Sequence, residues 1–203
     1  MPPIGGDRQR GGWYDVMERV RQAGQDWHRF AFHDRKAWWQ QEQGILAYLI
    51  LAGVLGGDEY RKISRESSAF YNAFFLDHDD GAVFFNVLAN GIPYLMGTER
   101  FKGSHSMSGY HSFELCYLAQ TYTNLLLTKK PLDLHFKPKP NGFKRNILRV
   151  SPDILPPKSI RIESVTIDGA PYTDFNAEAL TVKLPASDTD LRVKVRVIPT
   201  SGS

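Results

Sequence analysis

The chain has 203 residues, of which 42 % are hydrophobic and 12 % aromatic, and its formal net charge is +3. This composition excludes wholesale disorder, and the small positive charge lacks the clustered excess of a nucleic-acid-binding protein. The length suffices for one large domain, or for a medium domain and a small one. The single cysteine, Cys116, cannot form an internal disulfide, which favours a reducing compartment.

No segment of the sequence is predicted to enter a membrane. The N-terminus lacks the apolar stretch of a signal peptide. The longest apolar run, residues 45–55, is too short to span a bilayer and ends at Gly56-Gly57. We interpret this run as a buried helix, and we expect a cytoplasmic protein.

The N-terminal part of the sequence contains a repeat. One copy begins with DRQRGGWYD at Asp7 and leads to KAWWQQEQ, and the other begins with DHDDGAVFF at Asp77 and leads to SGYHSFE. A period of about 70 residues indicates helical hairpins packed side by side, because one hairpin cannot bury its apolar face alone. The alignment of the copies pairs Trp39 with Tyr110, Gln40 with His111, and Gln43 with Glu114.

The acidic run DHDDG also resembles the start of a calcium-binding loop. However, Leu88 stands where such a loop needs a bidentate glutamate. His105 and His111 have no carboxylate at the spacing of metal ligands. We therefore predict an acidic turn at residues 77–81 and no metal site.

Three helices are predicted, at residues 37–54, 58–76 and 109–127. The first and third are apolar on nearly all sides, whereas the second is amphipathic. This contrast is typical of a helical barrel in which an inner ring of helices is enclosed by an outer ring.

The sequence pattern changes after residue 136. HFKPKPNGFKRN is rich in proline and basic residues, which is typical of a linker or a domain edge. The later segments SIRIESVTI, ALTVKLP and LRVKVRVIP alternate with period two, the pattern of strands that bury one face. Asp168-Gly169 predicts a tight turn between the first two. The predicted organisation is a helical-hairpin domain (1–136), a linker (137–143) and a small antiparallel β unit (144–203).

The order and spacing of KAWWQQEQ and FKGSHSMSGYH resemble the C-terminal part of the N-acylglucosamine 2-epimerase family, which includes cellobiose 2-epimerases and renin-binding proteins. The resemblance covers roughly residues 7–128. It implies a mainly α chain that forms the C-terminal part of an (α/α)6 barrel of helical hairpins. It also implies that a sugar enters at the end where the inner helices begin, with no cofactor.

The resemblance identifies His111 as a catalytic residue, because it follows Tyr110 and a Lys-Gly-containing loop as the family's histidine does. Epimerisation removes the proton at sugar C2 and returns it to the other face, which suits a base that titrates near neutrality, as histidine does. The small residues of the loop at 103–109 would let it bend tightly and approach a ligand. The expected substrate-binding residues are Trp38, Trp39, Gln43, Lys102, Tyr110 and Glu114.

Two positions depart from the family pattern, since Gln43 stands where the family usually has glutamate and Glu114 where it has arginine. A full barrel needs roughly twelve helices, and the family's other catalytic histidine has no counterpart here. We therefore expect a C-terminal fragment of a sugar 2-epimerase-like isomerase, inactive alone. The alternative is a carbohydrate-binding or structural module that lost the chemistry. The expected partners are a sugar and either a second copy or a missing N-terminal half, with no nucleic acid and no membrane.

Overall fold

A computed structural model describes residues 5–97, 102, 107, 109–150 and 155–200. These residues form three α-helices and nine strands in three antiparallel sheets, with 31 % helix and 25 % strand. The prediction of a mainly α fold, the C-terminal part of an (α/α)6 barrel, is therefore wrong, and the chain has an α+β fold. The difference arises because short segments between and after the helices satisfy their backbone groups by pairing as strands.

The chain divides into two compact units, Met1–Ala119 and Gln120–Ser203. The division falls inside the third helix, upstream of the predicted linker at 137–143. The elements up to that helix are β1 (Arg35–Ala37), α1 (Trp38–Leu55), α2 (Asp58–Phe74), β2 (Asn86–Leu88) and α3 (Tyr110–Tyr122). The three predicted helices are thus confirmed, although a π-helical turn, Thr123–Leu127, completes the third.

The first unit is built around the contact of α1 with α2. α1 ends at Gly56-Gly57, where positive φ angles of 73° and 103° suit glycine and turn the chain back. Ser64 of α2 donates to the carbonyl of Ile45 at 3.2 Å, so a small side chain allows the two helices to approach closely. The buried core comprises Trp38, Ile45, Phe70, Tyr71, Phe75, Phe85 and Val87. No helix in the described parts of the chain is both long and apolar enough to cross a membrane.

The two copies of the repeat fold into the same turn. In each, one carboxylate oxygen of Asp7 or Asp77 accepts bonds of 2.9–3.1 Å from the backbone N–H groups two and three residues later. The carbonyl of the same aspartate accepts from the N–H of Gly11 or Gly81. Both glycines and the residue after each have positive φ angles. The prediction of an acidic turn at 77–81 is confirmed.

A lysine closes each turn. The Lys36 ammonium donates to the Asp7 carboxylate at 2.9 Å and to the Gly11 carbonyl at 2.7 Å. The Lys102 ammonium binds Asp77 at 2.6 Å and the Gly81 carbonyl at 3.0 Å. Lys36 is fully buried, and its ammonium also lies 3.7 Å from the centre of the Phe70 ring. The first turn is therefore tied by a buried ion pair and the second by a more exposed one.

Burial by itself would raise the pKa of the Asp7 carboxyl. The hydrogen bond from Lys36, with the backbone N–H groups of Gln9 and Arg10, nevertheless holds that pKa below its usual value. Burial lowers the pKa of the Lys36 ammonium, and Asp7 opposes this effect. The pair is thus kept ionised by mutual contact in a place where either charge alone would be costly.

The second unit contains two antiparallel sheets. Their strands are β3 (Leu132–Phe136), β4 (Ile147–Arg149), β5 (Ile160–Ile167), β6 (Ala170–Tyr172), β7 (Phe175–Asn176), β8 (Thr181–Lys183) and β9 (Val193–Pro199). One sheet has the order β3-β9-β5-β6 and the other β4-β8-β7. A 3₁₀ turn, Lys144–Asn146, precedes β4.

β9 lies between β3 and β5 in the larger sheet, and its side chains alternate between the two faces. Val193, Val195 and Val197 are buried, whereas the intervening Arg196 pairs with Asp133 and Glu163 on the other face. The three predicted strands are confirmed as β5, β8 and β9. The tight turn predicted at Asp168-Gly169 is also present, but it leads from β5 into β6, which was not predicted, whereas β8 pairs in the other sheet. β3 was not predicted, because it lies in residues assigned to the helical domain.

We predict that Lys36→Met destabilises the chain strongly. The substitution leaves the Asp7 carboxylate buried without its cation, which typically costs about 3–5 kcal/mol. Urea unfolding measures the loss. The matched control is Lys62→Met, because Lys62 is exposed on α2 and its pair with Glu66 is 3.7 Å long; that variant should lose less than about 1 kcal/mol. Equal losses in the two variants would contradict the role of the buried pair.

The ion pair of the second turn should make the stability of the chain depend on pH in the acid range. Lys102, followed by the N–H groups of Asp80 and Asp79, lowers the pKa of Asp77 from 3.8 to about 2. A depressed folded-state pKa contributes stability that is present above pH 3.8 and lost as the pH falls towards 2. The stability difference between wild type and Asp77→Asn should therefore shrink across that window in pH-dependent urea unfolding. Lys102→Met should weaken the same pH dependence, and an unchanged dependence would argue against the pair.

Candidate functional site

The first turn of α3 carries His111. Tyr110 begins the helix, and the imidazole follows with 28 % of its side chain exposed. The residues of the preceding glycine-serine loop, 103–106 and 108, lie outside the described residues. The start of α3 therefore holds the ring at a partly open position.

A polar contact joins this histidine to α1. The Gln43 amide nitrogen lies 3.0 Å from Nδ1 of His111 and 2.7 Å from Oε2 of Glu114. Nδ1 and that carboxylate oxygen are 3.9 Å apart, too far for a hydrogen bond. The other oxygen of Glu114 accepts from the Tyr110 hydroxyl at 3.4 Å. Gln43 thus contacts both Glu114, its counterpart in the repeat, and the histidine.

Three aromatic rings surround the imidazole. The ring centres of Trp38, Trp39 and Tyr110 lie 6.3, 6.2 and 5.0 Å from that of His111. Trp38 is 3 % exposed, whereas Trp39 is 40 % exposed. The buried tryptophan therefore supports the ring, and the exposed one offers an aromatic face to a ligand.

An open cleft of about 310 Å³ lies beside these rings. Its charged wall is an ion pair, in which Nε of Arg35 donates to Asp15 at 2.8 Å and the guanidinium lies 4.3 Å from the centre of the Phe32 ring. The cleft therefore combines aromatic faces, a charged pair and an imidazole. The lining residues are Asp15, Arg35, Ala37, Trp38, Trp39, Phe85, Asn86 and His111.

A buried carboxyl group lies behind the histidine. Glu42 is 1 % exposed, and its Oε1 accepts from the hydroxyls of Tyr71 at 2.5 Å and Ser112 at 2.6 Å. Its Oε2 is buried without a hydrogen-bond partner among the described residues. Burial raises the pKa of Glu42, while the hydrogen bonds from Ser112 and Tyr71, and a positive charge on His111 when that ring is protonated, act in the opposite direction. The site therefore contains a carboxyl that resists ionisation.

The structure places most of the predicted site residues together. Gln43, Tyr110 and Glu114 contact one another or His111, and Trp38 and Trp39 flank the ring. Lys102 is the exception, because its ammonium is engaged in the second acidic turn. Its role as a sugar ligand, like those of the others, stays a prediction.

Sequence reasoning missed the charged wall of the cleft. Asp15 ends the first copy's opening motif, and Arg35 directly precedes KAWWQQEQ, so both adjoin segments that were already singled out. Nothing in the sequence indicated that these two residues pair, since a loop of unpredicted path separates them. Asn86 lies on β2, a strand that the sequence did not predict.

No protein-family model matches the chain, and no curated protein matches it in sequence.

The buried carboxyl of Glu42 should make the stability of the chain depend on pH. Its raised folded-state pKa means that the native chain holds a proton which the unfolded chain releases above about pH 4.5, so wild-type stability falls as the pH rises. Glu42→Gln removes this dependence, and the variant should gain stability relative to wild type between acid and neutral pH. Ser112→Ala should steepen the wild-type fall, since Ser112 favours the ionised carboxylate. Parallel stability curves for Glu42→Gln and wild type would contradict this prediction.

Proposed function

We propose that the cleft binds a sugar, and that His111 is one of the two proton-transferring groups of a sugar 2-epimerase-like isomerase. The substrate class is an aldose or an N-acyl amino sugar. The observation that carries the proposal is the position of the imidazole, which lines an open cleft together with Trp38 and Trp39. We further propose that the protein acts in the cytoplasm and without a cofactor.

The walls of the cleft suit a polyhydroxylated ligand. The exposed face of Trp39 can cover the apolar face of a pyranose or of its open chain. Asp15 and Arg35 can exchange hydrogen bonds with hydroxyl groups, one as acceptor and the other as donor. Trp38 lines the cleft, and its buried indole N–H has no partner among the described residues. That nitrogen is shielded from solvent, so Trp38 contributes packing at the cleft.

The proposed chemistry is a proton exchange at carbon. A base removes the C2 proton of the open-chain aldehyde, the resulting enediolate keeps the electron pair, and an acid returns a proton to the opposite face. The reaction needs one group on each face. In the two-histidine mechanism that the resemblance implies, the second group would come from outside this set, because His111 is the only histidine among the described residues that line the cleft. The chain alone is therefore expected to be inactive.

A second candidate function is sugar binding without chemistry. The observation that favours it is the contact of Gln43 with Nδ1 of His111. An amide cannot take a proton from the ring or carry the charge that would stabilise an imidazolium. Both candidate functions use the same cleft. They differ in whether the proton at C2 of the bound sugar exchanges.

A face of α3 supports the proposed association of this chain with a second copy or with another chain. Tyr110, Phe113 and Tyr117 are each at least 50 % exposed. Their spacing of three and four residues places them along one side of the helix. A row of exposed aromatic rings of this kind is typical of a surface that another chain covers.

We predict that the chain binds sugars through the cleft. Calorimetric titration with N-acetylglucosamine and mannose should detect binding. Trp39→Ala should weaken it roughly tenfold through loss of the aromatic face. The matched control is Trp27→Ala, since Trp27 is 72 % exposed and does not line the cleft; this variant should bind as wild type does. Equal affinity in all three proteins would remove the cleft from consideration.

The histidine is tested in the same titration. His111→Asn should weaken binding and change the free energy of unfolding by less than about 1 kcal/mol, whereas His135→Asn, on an exposed position of β3, should change neither. Incubation with sugar in D₂O should show no deuterium at C2 for the chain alone, because one proton-transferring group is missing. Deuterium uptake with inversion by the isolated chain would show that the second group is present.

A further inference from the structure

The side-chain amide of Gln43 lies between a charged group and a histidine ring. Its nitrogen is 2.7 Å from the Glu114 carboxylate and 3.0 Å from Nδ1 of His111. Both distances are those of hydrogen bonds, and both involve the same nitrogen. The three side chains come from two helices, since Gln43 belongs to α1 and the other two to α3.

The carboxylate decides which end of the amide faces it. A carboxylate only accepts hydrogen bonds, whereas an amide has a donating NH₂ group and an accepting oxygen. If the amide of Gln43 were turned over, its oxygen would lie against an oxygen of Glu114, and two acceptors would face each other at 2.7 Å. The NH₂ group must therefore point towards Glu114.

The orientation of the amide then decides the state of the ring. The second hydrogen of the Gln43 NH₂ group is directed to Nδ1 of His111, which can accept it only with a lone pair. A neutral imidazole with an unprotonated Nδ1 carries its proton on Nε2. We infer that Gln43, oriented by Glu114, holds neutral His111 in the Nε2–H tautomer and acts as a positioning residue for the ring.

This inference rests on the proposed function only for its consequence at a sugar. Nδ1 is occupied by Gln43, so Nε2 is the ring nitrogen left to meet a ligand. In the Nε2–H tautomer this nitrogen donates a hydrogen bond to a hydroxyl or carbonyl oxygen of the sugar. It cannot take the C2 proton in that state, because Nε2 is already protonated, so this tautomer favours the second candidate function, sugar binding without chemistry. Position 43 therefore decides whether the histidine serves as an oxygen ligand or as a base.

A carboxylate at position 43 should reverse the tautomer. The exchange Gln43→Glu with Glu114→Gln keeps the same groups and the same net charge but places the acceptor beside Nδ1. The introduced carboxylate then accepts from Nδ1–H and from the introduced amide, and Nε2 is left with its lone pair. The exchange variant has the same net charge as wild type, so a change in the tautomer cannot come from a change in net charge. Gln9→Glu makes the same glutamine-to-glutamate substitution at an exposed turn position away from the histidine and serves as the control.

The test is a long-range ¹H–¹⁵N spectrum of the ligand-free full chain, with ¹⁵N-labelled histidine, at a pH where the rings are neutral. The His111 signals are assigned by their absence in His111→Asn. We expect Nε2 to be the protonated nitrogen in wild type and in Gln9→Glu, and Nδ1 to be the protonated one in the exchange variant. Because an unconstrained imidazole also favours Nε2–H, the reversal is the decisive result.

Two results would overturn the inference. One is a wild-type spectrum with Nδ1 protonated, and the other is an exchange variant that keeps Nδ1 unprotonated. If the exchange variant unfolds, Gln43→Glu alone replaces it, and it must likewise show a protonated Nδ1 at the same pH. No sugar is present in these spectra, so a failure to bind sugars leaves the tautomer result standing. Conversely, a failure here leaves the sugar titration unaffected.

Discussion

The buried pair of Lys36 and Asp7 is the constraint on which the first unit depends. The lysine lies in β1, directly before α1, and its ammonium reaches back to a turn at the beginning of the described chain. An ammonium without exposure to water must find anionic and carbonyl oxygens, so its position is fixed within narrow limits. The start of α1 is fixed with it, and Trp38, Trp39 and Gln43 are placed as a consequence. The same contact between a lysine and the aspartate of the turn occurs at Lys102 and Asp77, so it is a feature of both copies of the repeat.

Polar groups join α1 to α3 at the candidate site. Glu42 contacts Ser112, and the next residue, Gln43, contacts His111 and Glu114. Adjacent residues on a helix point about 100° apart, so the two side chains reach different parts of α3. One contact is buried and holds a carboxyl that resists ionisation, whereas the other is partly exposed and orients an imidazole. The same helix pair thus separates a structural carboxyl from a ring that faces the cleft.

Local patterns in the sequence were sufficient to predict the helices, the strands β5, β8 and β9, and the acidic turns. Each of these rests on a short-range rule, such as the period of apolar residues or the bond from an aspartate to its own turn. The fold class was wrong because the short strands leave little trace in the sequence. β1 and β2 have three residues each and pair across a separation of about fifty residues. β3 lies in a stretch that had been assigned to the helical domain.

The sequence by itself determined the periodicity of the helices, the repeat, and the presence of a histidine at the start of α3 with tryptophans at the start of α1. These features follow from side-chain spacing along one element, which needs no knowledge of neighbours. Only the tertiary structure decided that Arg35 pairs with Asp15, that Lys102 closes a turn, and that Gln43 lies between Glu114 and His111. Hydrogen bonds and ion pairs require donor and acceptor atoms of residues far apart in the chain to be placed to within a few tenths of an ångström. Such distances are set by the packing of whole elements, and no local pattern encodes them.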